Sequence, residues 1–124
     1  MVAERGGTIV GTITLYRDIN LEGMPVLFPA NTAGIRATAV SPTVRGEGIG
    51  SQLVETAIAR ARSFGASAIA LHTAECMNAA RRLYERHGFQ REPERDYRAN
   101  DYFSAGAGET LDALAFVLRL AVND

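Results

Sequence analysis

The sequence predicts a single α/β (α+β) domain, and three observations carry that prediction. Runs rich in β-branched residues alternate with segments whose apolar residues recur at helical spacing. Around the middle of the chain a strand, an amphipathic helix and a short apolar strand follow one another directly, the pattern of a helical crossover between parallel strands. Finally, 124 residues of which 47% are hydrophobic and 22% charged suffice for a self-contained core, burying roughly two-thirds of the unfolded chain's surface. No repeat, low-complexity tract or linker composition divides residues 1–124, so one domain is expected.

Thr8 to Tyr16 reads T-I-V-G-T-I-T-L-Y after the turn pair Gly6-Gly7, a strand for which Met1 to Arg5 is the candidate hairpin partner. Arg17 to Thr32 carries Asp18, Asn20, Gly23, Pro25, Pro29 and Asn31, a long loop whose apolar patch Val26-Leu27-Phe28 suits a pocket wall or an interface. Ile35 to Val40 resumes strand character and stops at Ser41-Pro42. From Ser51 to Phe64, residues Leu53, Val54, Ala57, Ile58, Ala61 and Phe64 fall on one helical face, and Gly65 ends the helix. Ala66 to His72 reads as a buried strand parallel to Ile35–Val40. Met77 to His87 forms a second helix with Ala80, Leu83 and Tyr84 on one side, stopped by Gly88. Phe89 to Tyr97, interrupted by Pro93, reads as an edge strand, and Leu111 to Leu120 closes the domain as an apolar strand.

Charge and composition exclude several functions. Thirteen Lys+Arg against 14 Asp+Glu give a net charge of −1, so no nucleic-acid partner is expected. No apolar run approaches the ~20 residues that cross a bilayer, and the N-terminus lacks a secretory layout; a cytoplasmic protein with no membrane partner is expected. One Cys and two His exclude a disulfide framework and argue against a metal site.

Val40 to Leu53, V-S-P-T-V-R-G-E-G-I-G-S-Q-L, is the most informative stretch. A strand meets a helix there through Gly46, Gly48 and Gly50. Without Cβ atoms the backbone can approach a ligand closely, successive N–H groups can converge, and the helix start adds its positive dipole end. Such a turn suits a diphosphate, although a bare glycine cluster is more often only a tight strand-to-helix connection. No Gly-Lys-Ser/Thr follows, which excludes a Walker loop, and Ser51 stands where the third glycine of a dinucleotide fingerprint would fall. Arg45-Gly46-Glu47-Gly48-Ile49-Gly50 does fit Q/R-x-x-G-x-G/A.

With that motif, placed just after a Val-x-Pro strand end, the chain resembles the GCN5-related N-acetyltransferase (GNAT) family, whose loop for the pyrophosphate of coenzyme A has this pattern. Asn78 to Phe89, N-A-A-R-R-L-Y-E-R-H-G-F, is similar to the family's N-x-x-A-x-x-x-Y-x-x-x-G-F helix. The likeness covers Ile35 to Phe89 closely and the last strand loosely. It implies a mixed, largely antiparallel central sheet with flanking helices and one parallel, splayed strand pair, Ile35–Val40 and Ala66–His72. It also implies acetyl-CoA as cofactor and an amine acceptor attacking the thioester directly.

Residue by residue, the resemblance implies that the Val40 N–H donates to the oxyanion of the tetrahedral intermediate. Backbone from Val44 and Arg45 through Gly46, Glu47, Gly48, Ile49 and Gly50, with Ser51 beside it, would hold the pyrophosphate. Asn78 would bond the pantetheine arm. Tyr84 would protonate the departing thiolate, a phenol of ordinary pKa ~10 serving a thiol of ~8.5; a plain core aromatic is the other reading of Tyr84. Arg81 and Arg82 are candidates for the 3′-phosphate or for a solvated helix face. Tyr97, Asp101 and Tyr102 are candidates for the acceptor pocket, where they would favour a cationic amine.

The pattern is incomplete in two places. Many relatives carry a Glu on the strand leading into the loop, whereas Gly34-Ile35-Arg36-Ala37-Thr38 has no carboxylate. The base is therefore unassigned; His72 and Glu75 could act through water, but read more simply as loop residues. Cys76 reads as a packing residue and His87 as a helix cap. The strand and two helices that usually precede the hairpin are not in this chain, which predicts an exposed apolar patch, an open cleft or a partner that fills the gap, a homodimer being the simplest solution; the alternative is that the chain is a fragment of a longer protein. The leading expectation is an N-acetyltransferase; the alternative is a CoA-binding or structural module that lost its acceptor site, with a dinucleotide oxidoreductase a distant third.

Overall fold

Gly6 and Gly7, both at positive φ (58° and 82°), form the two-residue turn that matches strand twist in a tight hairpin. They join β1 (Val2–Arg5) antiparallel to β2 (Thr8–Tyr16). The computed structural model describes residues 1–23, 25–44, 46–74, 77–98 and 112–120. Across these run β3 (Thr32–Val40), α1 (Ile49–Ser63), β4 (Ala68–Ala74), α2 (Asn78–Arg86), β5 (Gln90–Arg91), β6 (Tyr97–Arg98) and β7 (Asp112–Arg119). The sheet order is β1-β2-β3-β4-β7-β5, with β6 also on β7. Among the described residues only β3 and β4 are parallel, joined by the α1 crossover; the remaining pairs are antiparallel.

The expected mixed, largely antiparallel sheet is thus observed, with shifted boundaries. β3 begins at Thr32, three residues before the expected Ile35, because Thr32, Ala33 and Gly34 pair with Ala68, Ile69 and Ala70. β4 runs to Ala74, carried past His72 by its antiparallel partner β7. The edge strand expected over Phe89 to Tyr97 is two short strands, β5 and β6, separated by a 3₁₀ turn at Pro93–Arg95. Proline lacks the N–H that a continuous ladder would need.

One face of the sheet is thick and the other thin. Ile13, Ala33, Ile35, Ile69, Leu71, Leu114 and Phe116 form the main core with Leu53, Val54, Ala57 and Ala61 of α1 and Tyr84 of α2. Gly11 lets α1 come close: a Cβ there would stand 3.0 Å from both Ile49 Cγ2 and Leu53 Cδ1. On the opposite face Ala68, Ala70, Ala115 and Val117 are small, and Ile19 and Phe28 from the 17–31 loop cover them. Asn20 clamps that loop, donating from Nδ2 to the Phe28 carbonyl (2.9 Å) and accepting from the Phe28 N–H (2.8 Å). Among the described residues, no helix is long and apolar enough to cross a membrane.

Candidate active site

The parallel pair separates soon after it forms. β3 and β4 are paired only from Thr32 to Gly34 and from Ala68 to Ala70, although β3 continues to Val40 and β4 to Ala74. A bulge explains the divergence. Thr12 faces Ala39 and Thr14 faces Arg36, so Ile13 alone opposes both Ala37 and Thr38. An extra residue bends a strand and raises its twist, which carries the end of β3 away from β4. The Ser41 N–H donates to the Val10 carbonyl (2.7 Å). Successive N–H groups of a strand point to opposite sides, so the Val40 N–H faces away from β2, into the opening left by β4.

The glycine turn lies at the end of β3. Pro42–Val44 makes a 3₁₀ turn that buries Val44, anchoring the entry to the glycines. Gly46 (φ 87°) and Gly48 (φ 79°) are left-handed, and a Cβ at either would meet nothing within 4 Å. These two create an open concavity. Gly50 serves differently: it lies inside α1, and a Cβ there would stand 3.3 Å from Leu83 Cδ2 and 3.6 Å from Val40 Cγ2. It therefore lets the helix start approach α2 and the end of β3. Gly48 caps α1, and the first N–H groups of a helix have no partner within it, so Gly48 to Ser51 present donors and a positive dipole end. Glu47 forms an ion pair with Arg5 of the hairpin, which ties a carboxylate away from an incoming anion. Ser51 Oγ lies 2.8 Å from His87 Nε2, and His87 ends α2 through its backbone N–H. Arg45, Glu75, Cys76, Asp101 and Tyr102 lie outside the described residues.

From the thick face Tyr84 reaches the opening. It is 6% exposed, stacks edge-on with Phe89 at 5.6 Å, and donates its hydroxyl proton to Thr38 Oγ1 (3.1 Å) at the bulge. Burial raises its pKa above the ordinary phenol value, against the Thr38 hydrogen bond, so it is a phenol at neutral pH. It is both a core aromatic and a group at the opening. Asn78 begins α2 with an exposed side chain, Arg82 is exposed and Arg81 half-buried.

On the thin face a cavity of about 410 Å³ is lined by Tyr16, Ile19, Glu22, Ile35, Arg36, His72 and Tyr97. Tyr97, a candidate from the sequence, lines it. Tyr16, Glu22 and Arg36 carry no motif that marks them as site residues. The period-two alternation from Gly34 puts Arg36 on this face, but only the loop's path over the sheet makes that face a cavity. Arg36 lies over the Tyr16 ring at 5.7 Å. His72 is not a loop residue; it stands in β4 opposite Ala115. A second cavity of about 590 Å³ lies beside Met1, Leu15, Arg17 and Phe64, and neither the glycine turn nor β4 contributes to it.

Comparison with known proteins agrees with this geometry. A family model described as acetyltransferase (GNAT) family matches residues 1–89. The mouse protein named "Probable N-acetyltransferase family 8 member 5" is 38% identical over 93 residues, 73% of this chain and 37% of that protein. The chain thus spans little more than a third of that relative. Among solved structures, a Bacillus subtilis acetyltransferase in complex with CoA superposes with a TM-score of 0.76 at 22% identity, covering 97% of this chain and 75% of that one. A GNAT family acetyltransferase from Elizabethkingia anophelis with acetyl-CoA bound gives 0.75 at 20% identity, covering 96% and 74%. At such identities these structures share the fold, while the family model and the mouse relative place the sequence itself: the chain belongs to the acetyltransferase (GNAT) family.

Proposed function

We propose that this chain transfers an acetyl group from acetyl-CoA to a primary amine of a small molecule or protein, the amine attacking the thioester directly through a tetrahedral intermediate. The observation that carries the proposal is the opening between β3 and β4, which has the glycine turn and Tyr84 on one side and the 410 Å³ cavity on the other. Two reactants can meet there from opposite faces of the sheet. The left-handed Gly46 and Gly48, with nothing within 4 Å of where a Cβ would stand, and the first N–H groups of α1, which have no partner within the helix, fit a diphosphate in size and charge.

Acetyl-CoA supplies the activated acyl group. The backbone of the glycine turn from Val44 through Gly50, with Ser51 beside it, would hold its diphosphate, and Asn78 would take the pantetheine arm. The Val40 N–H donates to the carbonyl oxygen as charge develops there. Tyr84 keeps its proton until the thiolate departs and then gives it up. The acceptor enters through the cavity, where the Tyr97 ring and the Glu22 carboxylate suit an ammonium. A cytoplasmic location and a homodimer go with this reading; exposed Val2 and Ile9 on the hairpin support the latter.

Incubation with acetyl-CoA and a pool of primary amines, followed by mass spectrometry, tests the proposal. Acetylated amine with stoichiometric CoA supports it. The absence of a carboxylate from Gly34 to Thr38 favours a second reading, a CoA-binding module without transfer, which predicts tight CoA binding and no acetylated product.

A further inference from the structure

On the acetyl-transfer reading the acceptor must lose a proton before it attacks, since an alkylammonium of pKa ~10.4 is almost wholly charged at neutral pH. β3 offers no carboxylate for that task. The other wall of the opening does offer a group. His72 lies two residues beyond Ala70, the last β4 residue paired with β3, and its ring lines the cavity.

Its surroundings fix its chemistry. Nε2 lies 2.9 Å from the Arg95 carbonyl oxygen, which can only accept, so Nε2 carries a proton. In the neutral ring Nδ1 then holds a lone pair. That atom is buried and has no hydrogen-bond partner among the described residues. At the lining of a cavity, such an acceptor is completed by a water or by a donor bound there. The ring is packed edge-on between Phe28 (5.5 Å) and Tyr97 (4.8 Å), so it cannot easily swing to another partner.

The Arg95 carbonyl is itself held in place. Asp96 accepts from both terminal nitrogens of Arg91 (2.7 Å each) and from the Ala115 N–H (2.7 Å), which pins the Pro93–Arg95 turn against β7. The groups facing His72 are the Arg95 carbonyl and the Asp96 carboxylate from that turn, Tyr97 from β6, Arg36 from β3 and Phe28 from the loop, with Glu22 on the same cavity wall. Burial, reinforced by Arg36 but opposed by the Arg95 hydrogen bond and Asp96, lowers its pKa below the ordinary imidazole value. The ring is therefore neutral at pH 7.

The geometry points to His72 as the base of this site, with Nδ1 taking the proton from an acceptor ammonium seated in the thin-face cavity, directly or through one water. The proton balance closes. Nδ1 removes one proton from R–NH₃⁺; the amine nitrogen bonds to the acyl carbon; the C–S bond breaks and its electron pair leaves on sulfur. Tyr84 protonates the thiolate and is reprotonated by the second ammonium proton of the intermediate. The imidazolium releases the first proton to solvent, so each turnover yields amide, CoA thiol and one proton.

His72→Gln separates this role from a structural one. Glutamine can still donate to the Arg95 carbonyl but offers no base. With lysine, spermidine, tyramine and a tripeptide as acceptors, turnover is expected to fall about 10²-fold or more, with the acetyl-CoA Kd within twofold of the parent. The parent's rate should level off above the pH where His72 loses its proton, while the variant's rises about tenfold per pH unit with the fraction of free amine. Independently, ¹⁵N-histidine NMR of the parent, assigned by the loss of one ring's signals in the variant, should place the proton on Nε2 at pH 7. A variant within threefold of the parent at all pH values, or a His72 protonated on Nδ1 at pH 7, overturns the assignment and leaves the transfer reading intact. A parent that binds acetyl-CoA and acetylates none of these amines defeats the transfer reading and the assignment together.

Discussion

Replacing Tyr84 by Phe removes one oxygen from a ring that is otherwise held by Phe89 and the main core. The stability cost comes from the one hydrogen bond lost, to Thr38 Oγ1 at 3.1 Å. Neutral hydrogen bonds contribute about 0.5–1.5 kcal/mol, and the half-buried Thr38 can turn to water, so a loss of about 1 kcal/mol or less is expected. In a domain of this size that lowers Tm by about 3–6 °C. The effect on rate is of another order. A positioned acid contributes about 10²–10⁴ in rate, equal to about 3–5 kcal/mol of barrier. The buried phenol has a raised pKa, which makes it reluctant to give up its proton before the thiolate forms and favours the lower part of that range. Thermal unfolding, calorimetric titration with acetyl-CoA and a thiol-release assay together separate the two. The variant should remain folded at 25 °C, bind acetyl-CoA within twofold of the parent and turn over about 10²-fold more slowly. Turnover equal to the parent's would remove Tyr84 as the acid and leave it a core aromatic.

Gly34→Ala tests the thin-face wall, because the new Cβ would stand 2.9 Å from Ile19 Cγ1 and 3.0 Å from Ile19 Cβ. Ile19 must shift, at about 1–3 kcal/mol of overpacking, so the acceptor KM should rise severalfold in steady-state kinetics while the acetyl-CoA Kd is unchanged; equal KM values would detach the cavity from acceptor binding. Asp96→Asn removes the fork to Arg91 and should cost about 1.5–3 kcal/mol in denaturant unfolding at pH 7. Burial alone would raise the Asp96 pKa, but the hydrogen bonds from Arg91 and the Ala115 N–H and the Arg91 charge hold it below the ordinary carboxylate value. The unfolded state therefore binds more protons in that interval, and the stabilisation is complete above about pH 4 and lost as pH falls through the folded pKa. The Asn variant should lack that acid dependence, and an unchanged pH–stability curve would contradict the assignment.

Local chemistry makes much of this molecule legible in its sequence. Gly6-Gly7 specifies a hairpin turn, the spacing of Leu53, Val54, Ala57 and Ala61 specifies the buried face of α1, and Gly46 and Gly48 adopt the left-handed backbone that a ligand-facing turn requires. Gly50 reads in the sequence as a third member of that set, yet it is there for contact with Leu83; a glycine needed for φ and one needed for close approach look alike in one dimension. The bulge opposite Ile13 has no sequence signature, since it arises from the register of β2 against β3. His72 reads in the sequence as the point where a strand gives way to a loop, because the four residues of β4 beyond Ala70 owe their extended form to β7, about forty positions later. The cavity is hidden for a related reason: Tyr16, Glu22, Arg36 and Tyr97 come from four separate segments.

On the reading proposed above, cofactor binding depends on the glycine turn acting as a diphosphate cradle at the mouth of the β3–β4 opening. Calorimetric titration of the chain with acetyl-CoA, alongside Gly48→Glu, tests that most directly, because residue 48 faces open space and a carboxylate there meets the anion rather than the core. Saturable 1:1 binding by the parent, weakened at least 100-fold in a variant with unchanged circular dichroism, is the predicted result. Equal binding by a folded variant, or none by a folded parent, would contradict the diphosphate role of the turn.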